Sequence, residues 1–108
     1  MTGELHYTYR VSWSPEDGEY VGTAAEFPSL SWLETDERGA FDGIRRLVAQ
    51  VVADMIAAGE DVPPALADRA YSGKFQVRTT PARHRKLAIE AAEAGVSMNR
   101  LVNDKLAL

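Results

Sequence analysis

The feature that most constrains this chain is a single short alternating segment, Lys74-Phe75-Gln76-Val77-Arg78-Thr79, with two helical patterns behind it and no partner strand beside it. Side chains alternate faces along a strand, so Phe75, Val77 and Thr79 point one way and Lys74, Gln76 and Arg78 the other. The apolar side must be buried. A lone strand of this length is not stable, so it has to pair, and the economical partner is the same segment of a second copy. Two copies make an antiparallel ribbon of a size that enters the major groove, where Lys and Arg reach guanine O6 and N7 and Gln pairs with adenine N6 and N7. The bland alternative is an ordinary hairpin strand with solvated charges.

The segment that follows fits the ribbon. Pro81 suits the first turn of a helix, because its missing N–H would be an orphan there anyway. Good helix formers continue to Ala94, with Leu87, Ala88, Ala91 and Ala94 at helical spacing. Gly95 stands where a left-handed cap belongs, and Ser97 is a natural N-cap for a second helix with Met98, Leu101, Val102 and Leu106 on one side. The amides at that second N-terminus form an anion site, with Asn99 and Arg100 beside it. Residues 73–108 thus resemble a ribbon-helix-helix DNA-binding domain, the class of the Arc and MetJ repressors. The resemblance implies base reading by Lys74, Gln76 and Arg78, and phosphate binding by Ser97, Met98, Asn99 and Arg100. It also implies a dimer core of Phe75, Val77, Leu87, Leu101 and Val102. Thr79-Thr80 places one more residue before the proline than Arc has.

Charge divides the chain at the same place. The whole carries a net charge of -4. Residues 1–72 hold five basic and thirteen acidic groups, a net of -8, whereas residues 73–108 hold seven basic and three acidic groups, a net of +4. Such asymmetry suggests a basic module for a polyanion and an acidic module for something else, such as a basic protein.

The acidic part reads as an α+β unit over residues 1–64. Tyr7, Tyr9, Val11 and Trp13 alternate with Thr8, Arg10 and Ser12 as a half-buried strand does. Ser14-Pro15-Glu16-Asp17-Gly18 has turn chemistry, so Glu19–Ala24 returns antiparallel. Leu30–Glu34 reads as a third strand, and Thr35 as the cap of a long helix with Asp36 and Glu37 at its positive end. Phe41, Ile44, Leu47, Val48, Val51, Val52, Met55 and Ile56 form the stripe that faces the sheet, and Gly59 ends the helix. A three-stranded antiparallel sheet covered by one long helix results. Residues 65–72, after Pro63-Pro64, read as a connector, with Ala65–Ala70 open between a helical turn and a further strand. Tyr7, Tyr9, Trp13 and Tyr20 could form a platform for single-stranded RNA, but the sheet needs its apolar face for the helix, so core packing is the stronger reading.

The order of these features resembles the HicB family of antitoxins. It rests on strand, Pro-Glu-Asp-Gly turn, strand, Glu26-Phe27-Pro28-Ser29-Leu30, the long helix, and Ala57-Ala58-Gly59-Glu60-Asp61-Val62-Pro63-Pro64. That family joins a partial RNase H-like domain to a DNA-binding tail. Here the resemblance covers roughly residues 5–64, with the tail covering most of the rest. It implies that the first domain binds and occludes a small basic HicA-like ribonuclease toxin. The tail would bind double-stranded operator DNA and repress its own operon. The unit is a homodimer through the ribbon, with a tetramer open through the sheet domains. The family's Pro-Gly turn is Pro28-Ser29 here, followed by Trp32, so no toxin-contact residues are assigned. Two alternatives stand beside this one: a regulator without a toxin, and a protein-binding module whose tail only dimerises.

Catalysis is not expected. Asp17, Glu19, Glu26 and Glu34 are the carboxylates an RNase H-like fold invites one to test as Mg²⁺ ligands, but the turn explains Asp17 and Glu34 closes a strand. His6 and His84 fall in different modules without metal-ligand spacing. No cofactor is expected. There is no cysteine, no apolar run near 20 residues, and no basic-then-apolar segment after Met1, so the expectation is a cytoplasmic protein without disulfides, membrane span or secretory signal.

Overall fold

A computed structural model describes residues 6–107; Met1–Leu5, where the secretory signal was sought, and Leu108 lie outside the described residues. The chain forms two compact units, Met1–Tyr71 and Ser72–Leu108.

The first unit is a three-stranded antiparallel sheet with one helix. Strand β1 (Tyr9–Ser14) pairs with β2 (Glu19–Ala24), and β2 with β3 (Ser31–Glu34), in the order β1-β2-β3. Tyr9 is opposite Ala24, Val11 opposite Gly22, Trp13 opposite Tyr20, and Gly22 also opposite Trp32. The β1–β2 turn closes on a Gly18 N–H donated to the Ser14 carbonyl at 2.9 Å, and the Ser14 hydroxyl donates to Asp17 at 2.9 Å. Asp17 is thus a turn residue. Tyr7 was expected to begin the first strand. It instead precedes β1 and is buried, edge-on to Phe27, with its hydroxyl donating to the Pro63 carbonyl at 2.6 Å.

Helix α1 runs Glu37–Ala57, and Asp36, not Thr35, is its N-cap: its carboxylate accepts from the Gly39 N–H. Asp36 has the extended backbone of a cap (φ -117°, ψ 153°), and its charge also favours the positive end of the helix. The helix ends in a paired closure. Gly59 N–H donates to the Ile56 carbonyl at 3.1 Å and Glu60 N–H to Met55 at 2.9 Å, the arrangement of a Schellman motif. The core is Tyr7, Ala24, Phe27, Ile44, Val48, Val52 and Ala65. Phe41 and Ile56, expected in the buried stripe, sit at its margins and are exposed.

Two glycines set how closely helix and sheet approach. A Cβ on Gly22 would lie 2.5 Å from the Ala40 carbonyl oxygen, and one on Gly43 would lie 2.0 Å from the Trp32 ring. The helix therefore rests on bare backbone at β2, and the Trp32 indole on bare backbone at α1. Trp32 also donates its indole N–H to Glu34 at 3.1 Å.

Residues 65–71 are not the free connector that the sequence suggested. Ala65 is buried in the core, Leu66–Asp68 forms a 3₁₀ turn, and the segment is strapped to the sheet unit. Glu26 makes the main tie: its carboxylate accepts from Thr8 N–H at 2.9 Å, from the Thr8 hydroxyl at 3.1 Å and from Leu66 N–H at 3.0 Å. Burial pushes this carboxyl up, but the backbone and hydroxyl donors outweigh it and hold it below the usual glutamate range. His6 Nδ1 meets Asp68 at 2.8 Å, and the Tyr71 hydroxyl donates to the Leu66 carbonyl at 2.9 Å.

Candidate nucleic-acid interface

The second unit begins with a run without regular secondary structure and ends in two helices. Gly73 bends the chain at φ 81°, and the Ser72 hydroxyl joins the bend, accepting from Lys74 N–H at 3.1 Å. From Lys74 to Thr80 the backbone pairs with no strand among the described residues, so the ribbon expected from two copies is not present in one. Among the described residues this unit has no strand to supply the other half of a ladder. Phe75 is 75% and Val77 69% exposed, and Lys74, Gln76 and Arg78 are exposed as well.

Helix α2 (Pro81–Ala94) is capped by Thr80, whose hydroxyl accepts from Arg83 N–H at 3.2 Å, with Pro81 in the first turn. It closes at Gly95, with Gly95 N–H donated to Ala92 and Val96 N–H to Ala91. Gly95 has φ 69°, in the left-handed region where a side chain on Cα crowds the following carbonyl. Helix α3 (Met98–Leu106) is capped by Ser97, whose hydroxyl accepts from Arg100 N–H at 3.0 Å. That cap uses Arg100 N–H, and Leu101 N–H is taken by the Ser97 carbonyl. Among the described residues, Met98 and Asn99 N–H have no acceptor, so they are the two amides of this terminus left to meet an anion. Asn99, Arg100 and Ser97 are exposed around them. Lys105 joins the helices through an ion pair with Glu90 at 3.1 Å.

The residues expected to form a dimer core are uncovered to different degrees. Leu87, Leu101 and Val102 are half-buried between α2 and α3, while Phe75 and Val77 are in solvent. Ala88 and Ala94, expected on the apolar face of the first helix, are exposed, and Ala91 is the one apolar residue of this unit buried among the described residues. Ile89, Met98 and Leu106 are also largely exposed. A segment of about 40 residues seldom builds a sufficient core alone, and here Phe75, Val77, Ile89, Met98 and Leu106 are exposed.

Of the four carboxylates considered as Mg²⁺ ligands, Asp17 serves the turn, Glu26 the strap and Glu34 the Trp32 indole, and Glu19 has no side-chain donor among the described residues. No group of three or more His, Cys, Asp or Glu side chains is arranged to hold a metal ion among the described residues. No helix of the described residues is long and apolar enough to cross a membrane. Trp13 was read as core, yet it is 52% exposed. It lies edge-on to Tyr20 at 5.1 Å, two residues closer to the turn than the Val11–Gly22 pair over which α1 packs. No local sequence signal marks this placement, because it depends on how far α1 extends along the sheet.

The architecture is that of a small α+β unit followed by a basic helix pair. The HicB family model matches residues 59–106, which takes in the strap, the Lys74–Thr80 run and both tail helices. The resemblance seen in the sequence spans roughly residues 5–64 and the tail; the match takes in its Gly59–Pro64 segment and the tail, and leaves residues 5–58 outside. No curated protein and no solved structure gives a significant match.

Proposed function

We propose that this chain is a HicB-type antitoxin that neutralises a small basic ribonuclease through its acidic unit and represses its own operon through its tail. The observation that carries the reading is the run Lys74–Thr80, which has no strand partner among the described residues and leaves Phe75 and Val77 exposed beside Lys74, Gln76 and Arg78, an alternation that a strand would sort onto two faces. It leads directly into two capped helices, within the stretch matched by the HicB family. Antiparallel pairing of two such runs satisfies both backbones and covers four apolar side chains, each contributing about 1.5–3 kcal/mol when fully buried. The outward side of the ribbon then presents Lys74, Gln76 and Arg78 from each copy to the major groove. Met98 and Asn99 N–H, with Ser97 and Arg100, would fix register on a phosphate. Residues 1–72, at net -8, suit a basic protein partner and would keep DNA away except at the tail.

The test is fluorescence anisotropy on the DNA upstream of the chain's own gene, beside a scrambled duplex, over a salt series. Tight, sequence-selective binding that falls steeply with salt, and is lost in a Lys74/Gln76/Arg78 triple alanine variant, is expected. Weak binding without sequence preference would reduce the tail to a dimerisation device. Co-expression with the product of the adjoining gene tests the other half: rescue of growth is expected, and a product whose toxicity the chain does not relieve removes the antitoxin role.

A further inference from the structure

The sheet unit leaves one aromatic surface bare. Trp13 and Tyr20 face each other across β1 and β2 on the side of the sheet that α1 covers, but at the turn end. Helix α1 meets β2 at Gly22, through Ala40 and Ile44, and leaves Trp13 52% exposed. A tryptophan needs no such position for folding, since the core is complete without it. Exposed aromatics in a rigid hairpin are what interface anchors consist of.

The chain brings acidic groups to the same end. Glu16 and Asp17 form the turn that joins the two strands, and Glu19 is opposite Ser14. Glu34 is opposite Tyr20 at the end of β3, and Asp36 and Glu37 open α1 directly after it. Asp17, Glu34 and Asp36 have internal donors, while among the described residues Glu16, Glu19 and Glu37 have none. The one base in this stretch, Arg38, lies 4.0 Å from Asp42. Aromatic faces ringed by carboxylates repel a nucleic acid and favour guanidinium groups, which stack on the rings while their N–H donors reach the carboxylates.

We infer that the Trp13–Tyr20 pair, with Glu16 in the turn and Glu37 at the start of α1, is a docking surface for an arginine-bearing segment of a basic partner protein; Glu19, one residue before Tyr20 on β2, points to the other face of the sheet. This rests on the reading of the first unit as the protein-binding part, and names where on it the partner sits. The aromatic pair supplies the fixed anchor, and the carboxylates steer approach and set preference for arginine over lysine.

The whole chain, labelled with ¹⁵N, is titrated with an acetylated decapeptide of alternating arginine and serine, and with its lysine counterpart. Expected are shifts concentrated at the Trp13 indole N–H and the amides of Glu16, Glu19 and Tyr20, with the arginine peptide bound more tightly. Trp13→Ala and the double Glu16→Gln/Glu37→Gln should each weaken binding about tenfold, and Glu60→Gln/Asp61→Asn, with the same change of charge, less than about twofold. Equal weakening by the two double variants would show diffuse attraction and overturn the proposal. So would shifts confined to other surfaces in the unmutated chain, a result that does not depend on how the variants fold. A Trp13 signal that moves with protein concentration alone would assign the surface to a second copy, and one that moves with a uridine decamer would assign it to RNA; either overturns the proposal. Loss of operator binding would leave these shifts in place, whereas absent shifts in a chain that still binds its operator remove this surface alone.

Discussion

Gly43 and Trp32 are two halves of one contact: the indole occupies the space where a Cβ at Gly43 would stand, 2.0 Å from Trp32 Cδ1 and 2.1 Å from Nε1. Glycine in mid-helix costs about 1 kcal/mol relative to alanine, so a residue that weakens α1 locally is kept where it lets the sheet come close. Gly43→Ala should therefore destabilise the fold by about 1–3 kcal/mol despite the better helix propensity, measured by urea denaturation. In a Trp32→Val background the same change should turn neutral or stabilising. Additive effects in the double-mutant cycle would show that ring and glycine are not coupled.

Glu26 should make stability depend on pH in a set direction. Its folded-state pKa is lowered, the donors to the carboxylate prevailing over burial, so its contribution is complete above its ordinary value of 4.5 and is lost as pH falls through the lowered folded value. Glu26→Gln should cost about 1–2 kcal/mol at pH 7, since only part of the three-donor arrangement survives and the site is partly solvated. The difference between variant and parent should shrink on acidification below about pH 4. A gap constant from pH 7 to 3 would show that the charge is not what holds the strap. Amide exchange at Leu66 should be slow in the parent and faster in the variant, because Leu66 N–H ends on this carboxylate.

Gly95 joins the two tail helices in the left-handed conformation, with nothing within 4 Å of where a Cβ would project. The penalty of an alanine there is purely backbone, about 1–2 kcal/mol. It should appear as lower thermal stability of the tail without loss of the first unit's melting transition. An unchanged tail would mean that the turn has another conformation in solution.

Phe75 and Val77 test the ribbon without DNA. If two copies pair through them, melting of the tail should depend on protein concentration, and Phe75→Glu should yield a monomer by sedimentation, with operator binding lost. A Phe75→Glu variant that stays dimeric would place the dimer contact elsewhere.

Much of this protein was legible in its sequence because the signals are local. Period-two alternation in β1 and β2, the Pro-Glu-Asp-Gly turn, the apolar stripe of α1, and Pro81, Gly95 and Ser97 at the ends of the tail helices each act through neighbours a few residues away. The charge division needed only counting. What tertiary structure decided involves partners far apart in the chain. Leu66 is tied to Glu26, 40 residues earlier, so the expected connector became part of the sheet unit. Asp36 displaced Thr35 as the cap because the chain leaves β3 extended and reaches helical geometry only at Glu37. Trp13 left the core because α1 lies over Gly22 and the bare backbone of Gly43 receives Trp32, so the helix covers the middle of the sheet and leaves its turn end in water. Alternation alone determines which face a side chain points to; how far the covering element extends along that face is set by packing, and no local pattern records it.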